Sequence, residues 1–392
     1  MNILFTNDQP MNPHFGGIER VSDILARAMK DAGHRVYYYS FYNNNPAIFK
    51  YDFPAEMHCL PFADLSHPDN RTTYIRFLQD AHIDLIINQR GLLPEADFFI
   101  SNLPEHIHVI SVFHSKPFGY LNAYWDTLFA NRYSLSGFCK CIVKALALPY
   151  LYAIRKRQEH QLVKQHLEWV INHSDKAVFL SNQYIDIIRH HCHVDEHKLV
   201  AIPNPNTFEE TNITPKQNSI LYVGRLNAWA KRPMLLLSIW KRIAFRYPDW
   251  QLIFVGDGEQ MRPLQCWAKW YKLKNVRFEG IQDPRPYYEQ AKINCLVSNF
   301  EGFPMVITES MQHRVVPVVF NTFGASDVID NGETGYIIAN NDTAAFTQAL
   351  EELMNNEEKR QTMAENAAIS VQRFHKNNII QQWFQLLSQY SM

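Results

Sequence analysis

The chain has 392 residues and is 46% hydrophobic, 13% aromatic and 20% charged, with 38 Lys+Arg against 39 Asp+Glu. At roughly 150 residues per domain this length predicts two or three domains, and the apolar fraction excludes wholesale disorder. A net charge of −1 excludes nucleic-acid binding driven by bulk charge. The six cysteines, Cys59, Cys139, Cys141, Cys192, Cys266 and Cys295, form no CxxC pair, the pattern expected of a reduced intracellular protein. MNILFTNDQP at the amino end lacks the basic and apolar regions of a signal peptide. The longest apolar stretch, 141–154, contains Lys144 and Pro149 and is too short to span a bilayer. Together these features predict a soluble cytoplasmic enzyme.

Short β-branched or aromatic runs alternate with longer helical patterns throughout. Strands are expected at 2–6, 35–39, 83–88, 108–113, 177–181 and 199–202, and again at 220–223, 252–255, 276–279, 293–297 and 316–320. Such alternation implies parallel sheets covered by helices on both faces. The intervening segment 203–218, PNPNTFEETNITPKQN, is rich in Pro and Asn and nearly free of apolar residues, so it reads as a linker. The fold class is therefore α/β, with two doubly wound domains of about 200 and 160 residues. Domain boundaries fall at 1–206 and 207–375, followed by a terminal helix over 376–392 whose Ile380, Trp383, Phe384 and Leu387 form a stripe that must be buried.

One region, about 117–166, breaks the alternation. It begins with Phe118, Tyr120, Tyr124, Trp125, Phe129, Tyr133 and Phe138. It continues with Lys140, Lys144, Arg155, Lys156, Arg157 and Lys164 against the single acid Glu159. A basic helical stretch beside aromatics has the composition of a segment lying on an anionic membrane surface. The plainer alternative is a helical insert packed on the first domain with its basic side solvated.

The richest chemistry lies in Asn299-Phe300-Glu301-Gly302-Phe303-Pro304-Met305-Val306-Ile307-Thr308-Glu309, just after a predicted strand. Pro304 suits the first turn of a helix. Glu301 and Gly302 then occupy the loop at the strand's carboxyl end, where doubly wound domains bind ligands. The N–H groups of Gly302 and Phe303 face the same place and suit a phosphate. Glu309 lies about a turn and a half into the helix. A second cluster, Gly224-Arg225-Leu226 with Lys231 six residues beyond Arg225, pairs a close backbone approach with two cations fit to neutralise a diphosphate. A third, Gly16-Gly17-Ile18-Glu19-Arg20, opens a helix after the first strand. Each has a plain alternative: a tight turn, a surface Arg, a solvated helical Glu. The run His190-His191-Cys192-His193 with His197 suggests a metal, but adjacent side chains diverge and the stretch reads as a surface connection.

These elements resemble those of the retaining GT-B glycosyltransferases of family 4. The resemblance rests on Glu301 and Glu309 (E-x7-E), Arg225 with Lys231, and Gly16 to Arg20. It extends to Val255-Gly256-Asp257-Gly258, Ile202-Pro203-Asn204-Pro205 and Asn331-Gly332-Glu333-Thr334-Gly335-Tyr336. It implies two Rossmann-like domains facing a central cleft, acceptor on the first, nucleotide-sugar donor on the second, and no required metal or cofactor. By position Glu309 would bind ribose hydroxyls, Glu301 the transferred sugar, and Arg225, Lys231, Gly224, Gly302 and Phe303 the diphosphate region. Gly16 and Gly17 would face the donor phosphates, and His114, closing the strand SVFH, would lie near the sugar. The terminal helix would cross back onto the first domain. The sequence departs from the pattern at Met311-Gln312-His313-Arg314-Val315-Val316-Pro317 and in the longer spacing from Arg225 to Lys231.

The resemblance implies same-face transfer to a glycan or lipid-linked acceptor in cell-surface polysaccharide or lipopolysaccharide biosynthesis. The expected location is cytoplasmic, with peripheral contact at the cytoplasmic face of a membrane as one option. The alternatives are a GT-B sugar-nucleotide epimerase and a catalytically silent subunit that binds a partner. A glycosidase, which also uses two carboxylates, has no need of the phosphate-binding frame.

Overall fold

The computed structural model describes residues 1–14, 16–43, 52–119, 149–208 and 215–390, with residues 149–155 described as helix only. The aromatic part of the predicted insert, 120–148, and with it Cys139 and Cys141, lies outside the described residues. The chain divides into two compact units. One comprises Met1–Pro117, His160–Pro205 and Asn377–Met392; the other comprises Phe118–Glu159 and Asn206–Lys376.

The first unit is built on a parallel sheet of seven strands among the described residues, in the order β3-β2-β1-β4-β5-β6-β7. These are β1 (Asn2–Asn7), β2 (Arg35–Ser40), β3 (Glu56–Cys59), β4 (Leu85–Asn88), β5 (His108–Phe113), β6 (Lys176–Phe179) and β7 (Leu199–Ala201). The central strands β1, β4 and β5 are buried along almost their whole length, as expected where helices cover both faces. Helix α1 (Gly17–Asp31) follows β1 directly, and α2 (Pro68–Asp80) precedes β4. The long helix α3 (Pro149–Asn172) leads into β6, and α4 (Asn182–His191) joins β6 to β7. His190 Nδ1 bonds the Asp186 carbonyl at 2.7 Å inside its own helix, and Cys192 is buried. Among the described residues no three His, Cys, Asp or Glu side chains gather as a metal site.

The second unit repeats the plan, with six strands among the described residues in the order β10-β9-β8-β11-β12-β13. They are β8 (Ser219–Val223), β9 (Gln251–Val255), β10 (Val276–Gly280), β11 (Ile293–Leu296), β12 (Val316–Phe320) and β13 (Tyr336–Ile338), all paired in parallel. The connecting helices are α5 (Pro233–Ile243), α6 (Met261–Trp270), α7 (Arg285–Gln290), α8 (Met305–Gln312), α9 (Thr343–Asn355) and α10 (Glu357–Ser370). Trp240, Leu236 and Phe346 pack with Phe254 and Phe320 in one core on the helix-covered sheet. In both sheets the strand order reverses between the first and fourth strands, β1/β4 and β8/β11, the place where such sheets open a ligand crevice.

Three details depart from the sequence-based expectation. Strands β3 and β13 have no counterpart in it; both are short, half-exposed edge strands without a buried apolar run. The polar segment 203–218 is only partly a free connection, because Asn206, 4% exposed, donates to the Thr308 carbonyl at 3.0 Å and takes part in a bond from its own N–H to the Phe374 carbonyl at 2.8 Å. The terminal helix α11 (Lys376–Leu387) buries Ile379, Trp383, Leu386 and Leu387, so its inner face is rotated from the expected stripe and Ile380 and Phe384 sit at its margin. Its residues from Asn377 onward belong to the first unit, where the Phe384 ring lies 6.5 Å from that of His34.

Candidate functional site

In the second unit the site grows from the carboxyl ends of β8, β9 and β11. Gly224 follows β8 with φ +149°, and its N–H donates to the Val255 carbonyl at 3.0 Å. Gly256 follows β9 with φ +130°, and a Cβ there would stand 2.0 Å from the Gly224 carbonyl oxygen. Only glycine permits two strand ends to run this close while adopting that backbone. Tyr222, fully buried, donates its hydroxyl to the Arg225 carbonyl at 3.0 Å and so fixes the Gly224-Arg225 turn from beneath. Burial, and secondarily the charge of Glu301, holds its phenol well above the usual range. The Arg225 side chain is exposed.

The loop beyond Arg225 is tied down at almost every residue. Asn227 Oδ1 accepts from the N–H groups of Ala230 and Lys231, both at 3.0 Å, and Glu259 Oε1 accepts from Ala228 N–H at 3.0 Å. The Ala230 carbonyl then accepts from Asn299 N–H at 2.7 Å, joining this loop to the one after β11. Arg232 adopts a left-handed φ of +49° ahead of Pro233. Its guanidinium donates to the carbonyls of Val297 at 2.8 Å and Ser298 at 3.1 Å, and to the side chains of Asn340 and Asn341. The backbone conformation is therefore held by a web of charge-assisted bonds.

Two predicted site residues meet within this frame. Lys231 Nζ donates to Glu301 Oε1 at 2.5 Å, with the lysine side chain 26% and the glutamate 10% exposed. The pair leaves a partly open ammonium beside a nearly buried carboxylate. An anion approaching Lys231 and a hydroxyl approaching Glu301 would arrive at adjacent atoms, the geometry that a sugar phosphate presents.

Pro304, expected in the first turn of the helix, is the residue just before α8 instead, a displacement within the usual uncertainty of helix ends. Phe303 is buried, with its ring 5.3 Å from that of Phe374, so its side chain serves packing while Gly302 and the Phe303 backbone lie in the loop. Glu309 is the fifth residue of α8 and is 1% exposed. Its Oε1 accepts from the Thr207 hydroxyl at 2.6 Å and its Oε2 from the Tyr288 hydroxyl at 3.1 Å. Behind it, Lys216 Nζ donates to the carbonyls of Tyr288 and His313, and burial lowers that ammonium to about 8.

The other three predicted residues fall in the first unit, Gly16 and Gly17 at the start of α1 and His114 just after β5. Gly16 precedes α1 in extended conformation, and a Cβ there would fall 2.8 Å from Glu19 Oε2. Gly17 is the first residue of α1. Glu19 is buried and accepts from Asn7 Nδ2 at 3.2 Å and Arg90 Nη2 at 3.4 Å; Arg90 Nε also donates to Asp8 at 2.6 Å. Beside Arg90, Gln89 Oε1 contacts His114 Nε2 at 2.6 Å, which makes Nε2 the protonated nitrogen. Burial, reinforced by Arg90, pushes the His114 imidazole down to about 3. His114 Nδ1 is buried with no partner among the described residues, an acceptor left over from the structure's own needs.

Sequence reasoning missed Thr207, Tyr288, Asn227, Arg232, Gln89 and Arg90. The Asn three residues before Ala230 and the pre-proline Arg232 were local signals of a structured turn. The others act through side-chain contacts between residues distant in sequence, and no spacing announces them.

A family model for group 1 glycosyl transferases matches residues 203–369, and one for glycosyltransferase family 4 matches residues 15–206. The chain belongs to the group 1 glycosyltransferases. Its two parallel sheets with flanking helices are the α/β GT-B fold of that family. The chain is 32% identical over 190 residues to an uncharacterized glycosyltransferase of Haemophilus influenzae, covering 47% of this chain and 54% of the relative. It is 26% identical over 223 residues to the GalNAc-alpha-(1->4)-GalNAc-alpha-(1->3)-diNAcBac-PP-undecaprenol alpha-1,4-N-acetyl-D-galactosaminyltransferase of Campylobacter jejuni, covering 56% of this chain and 59% of that one. The chain thus spans about half the length of the curated relatives it matches. The crystal structure of a mutant of S. aureus TarM in complex with fondaparinux, alpha-GlcNAc-glycerol and UDP superposes with a TM-score of 0.73 at 13% identity, over 98% of this chain and 99% of that one.

Proposed function

We propose that this protein is a retaining glycosyltransferase that moves a sugar from a nucleotide-sugar donor to a glycan or lipid-linked acceptor, in the synthesis of a cell-surface polysaccharide or lipopolysaccharide. The observation that carries the reading is the Lys231–Glu301 pair at 2.5 Å, set in glycine-lined loops at the β8/β11 reversal. The activities of relatives in lipid-linked and capsular glycan synthesis support the substrate class.

In this reading Lys231 and Arg225 face the diphosphate, Glu301 accepts from hydroxyls of the transferred sugar, and Glu309 serves the ribose. Negative charge develops on the β-phosphate oxygen as its bond to the sugar's C1 breaks. Preorganised cations stabilise that charge, and we assign this task to Lys231 and Arg225 rather than to a required metal ion or cofactor. The acceptor oxygen bonds C1 on the face that the phosphate leaves, and the acceptor proton passes to the departing phosphate oxygen. His114, neutral and with Nδ1 available, acts as a hydrogen-bond acceptor for a sugar hydroxyl and not as an obligatory base. No helix among the described residues is long and apolar enough to cross a membrane. We propose peripheral contact with an anionic surface through 117–166, of which 120–148 lies outside the described residues.

The test is nucleoside-diphosphate release from a panel of UDP-, GDP- and ADP-sugars with mixed cell-envelope acceptors. Lys231→Ala should lower turnover on the order of 10²-fold or more. Unchanged turnover would remove Lys231 from the mechanism.

A further inference from the structure

The tied loops that carry Lys231 and Glu301 also carry an aromatic pair that the roles above leave unused. Trp229 lies two residues before Lys231 and is 38% exposed; Phe300 lies immediately before Glu301. Their rings stand 6.2 Å apart with an interplanar angle of 31°. A single exposed aromatic on a protein surface needs no explanation. Here, however, the exposed Trp229 lies against a second aromatic, Phe300, from a different loop. The backbone on either side is fixed by bonds from Ala228 N–H to Glu259 and from Ala230 N–H to Asn227. The Ala230 carbonyl bond to Asn299 N–H locks the Trp229 loop to the Phe300 loop. Side chains carried on a backbone fixed this way have less freedom to lose when covered.

We infer that Trp229 and Phe300 form a stacking platform for the apolar C–H face of a pyranose ring, a binding element beside the charged pair. This rests on the proposed donor site. Lys231 and Glu301 grip phosphate and hydroxyls, the polar edge of a sugar phosphate, while an aromatic surface suits the C–H face that those contacts leave bare. The ring can come from the donor's transferred sugar or from the acceptor's terminal sugar, and the experiment separates the two.

Wild type, Trp229→Ala, Trp229→Phe and Phe300→Ala are compared by calorimetry with UDP, GDP and ADP and with the sugar nucleotides of whichever base binds. Saturation-transfer NMR with methyl α-glycosides of glucose, galactose, GlcNAc and GalNAc is recorded in the presence of that diphosphate. For a donor-sugar platform, Trp229→Ala weakens the sugar nucleotide by roughly fivefold while the free diphosphate binds unchanged, and Trp229→Phe restores most of the loss. For an acceptor-sugar platform both nucleotide affinities stay constant and the glycoside ring signals disappear in Trp229→Ala. The inference is overturned if the variants leave every sugar response unchanged, or if they weaken the free diphosphate as much as the sugar nucleotide. Failure of every diphosphate to bind the wild type would instead defeat the donor-site reading. Circular dichroism of each variant reports that the fold is kept.

Discussion

Thr207, in the segment between the two units' sheets, donates its hydroxyl to the Glu309 carboxylate at 2.6 Å. A residue from a stretch that reads as a plain linker thus orients the carboxylate we assign to the donor's ribose, and Tyr288 holds the other oxygen. Glu309 is nearly inaccessible and both its oxygens are bonded, so loss of either donor takes a hydrogen bond from a buried carboxylate, and a ribose reaches it only by displacing one of them.

Thr207→Val and Tyr288→Phe should therefore each destabilise the protein by about 1–3 kcal/mol, the cost of leaving a buried charged acceptor short of a partner. The double variant should lose less than the sum, because both act on one carboxylate. Urea unfolding measures both quantities, and strict additivity would show that the two bonds act independently.

Glu301→Gln keeps the shape of the side chain but removes its charge beside Lys231. Diphosphate affinity should hold within about threefold while turnover falls by on the order of tenfold or more, as for a contact strengthened in the transition state. Equal losses in affinity and turnover would place Glu301 in nucleotide binding instead.

Gly256→Ala puts a methyl group on the Gly224 carbonyl oxygen at a φ of +130°. Overlap and backbone strain together should cost roughly 3 kcal/mol or more, seen as a lowered melting temperature. Gly33→Ala has open space around its added methyl, although its φ is also positive. The contrast between the two separates steric overlap from backbone strain.

The pH dependence follows from His114. Its pKa lies near 3 in the folded protein against 6.5 ordinarily, so below pH 6.5 the unfolded chain takes up a proton that the folded one refuses. Stability is lost as pH falls from about 6.5 toward 3, and His114→Gln should flatten this part of the profile. Nitrogen NMR at about pH 5 should find His114 neutral with its proton on Nε2; titration near the ordinary 6.5 would contradict the assignment.

The sheets were legible because parallel strands buried on both faces, such as β11 and β12, leave continuous apolar runs. The loop from Asn299 to Glu309 was legible because Glu, Gly and Pro stood at a strand's carboxyl end. The short edge strand β13 and the phase of α11 were not, since both depend on which neighbour packs against them. Arg232 and Thr207 were least visible: one holds a left-handed backbone through carbonyls of the β11 loop, and the other reaches a helix 102 residues away. Their roles arise only once the chain is folded.

We propose that Lys231, Glu301 and Glu309 together mark a nucleotide-sugar site. Calorimetric titration of wild type, Lys231→Ala and Glu309→Gln with UDP, GDP and ADP, each with and without Mg²⁺, tests it most directly. One diphosphate should bind regardless of Mg²⁺, and each variant should weaken it by roughly tenfold or more. Binding that is equal in all three proteins, or absent from the folded wild type, would contradict it.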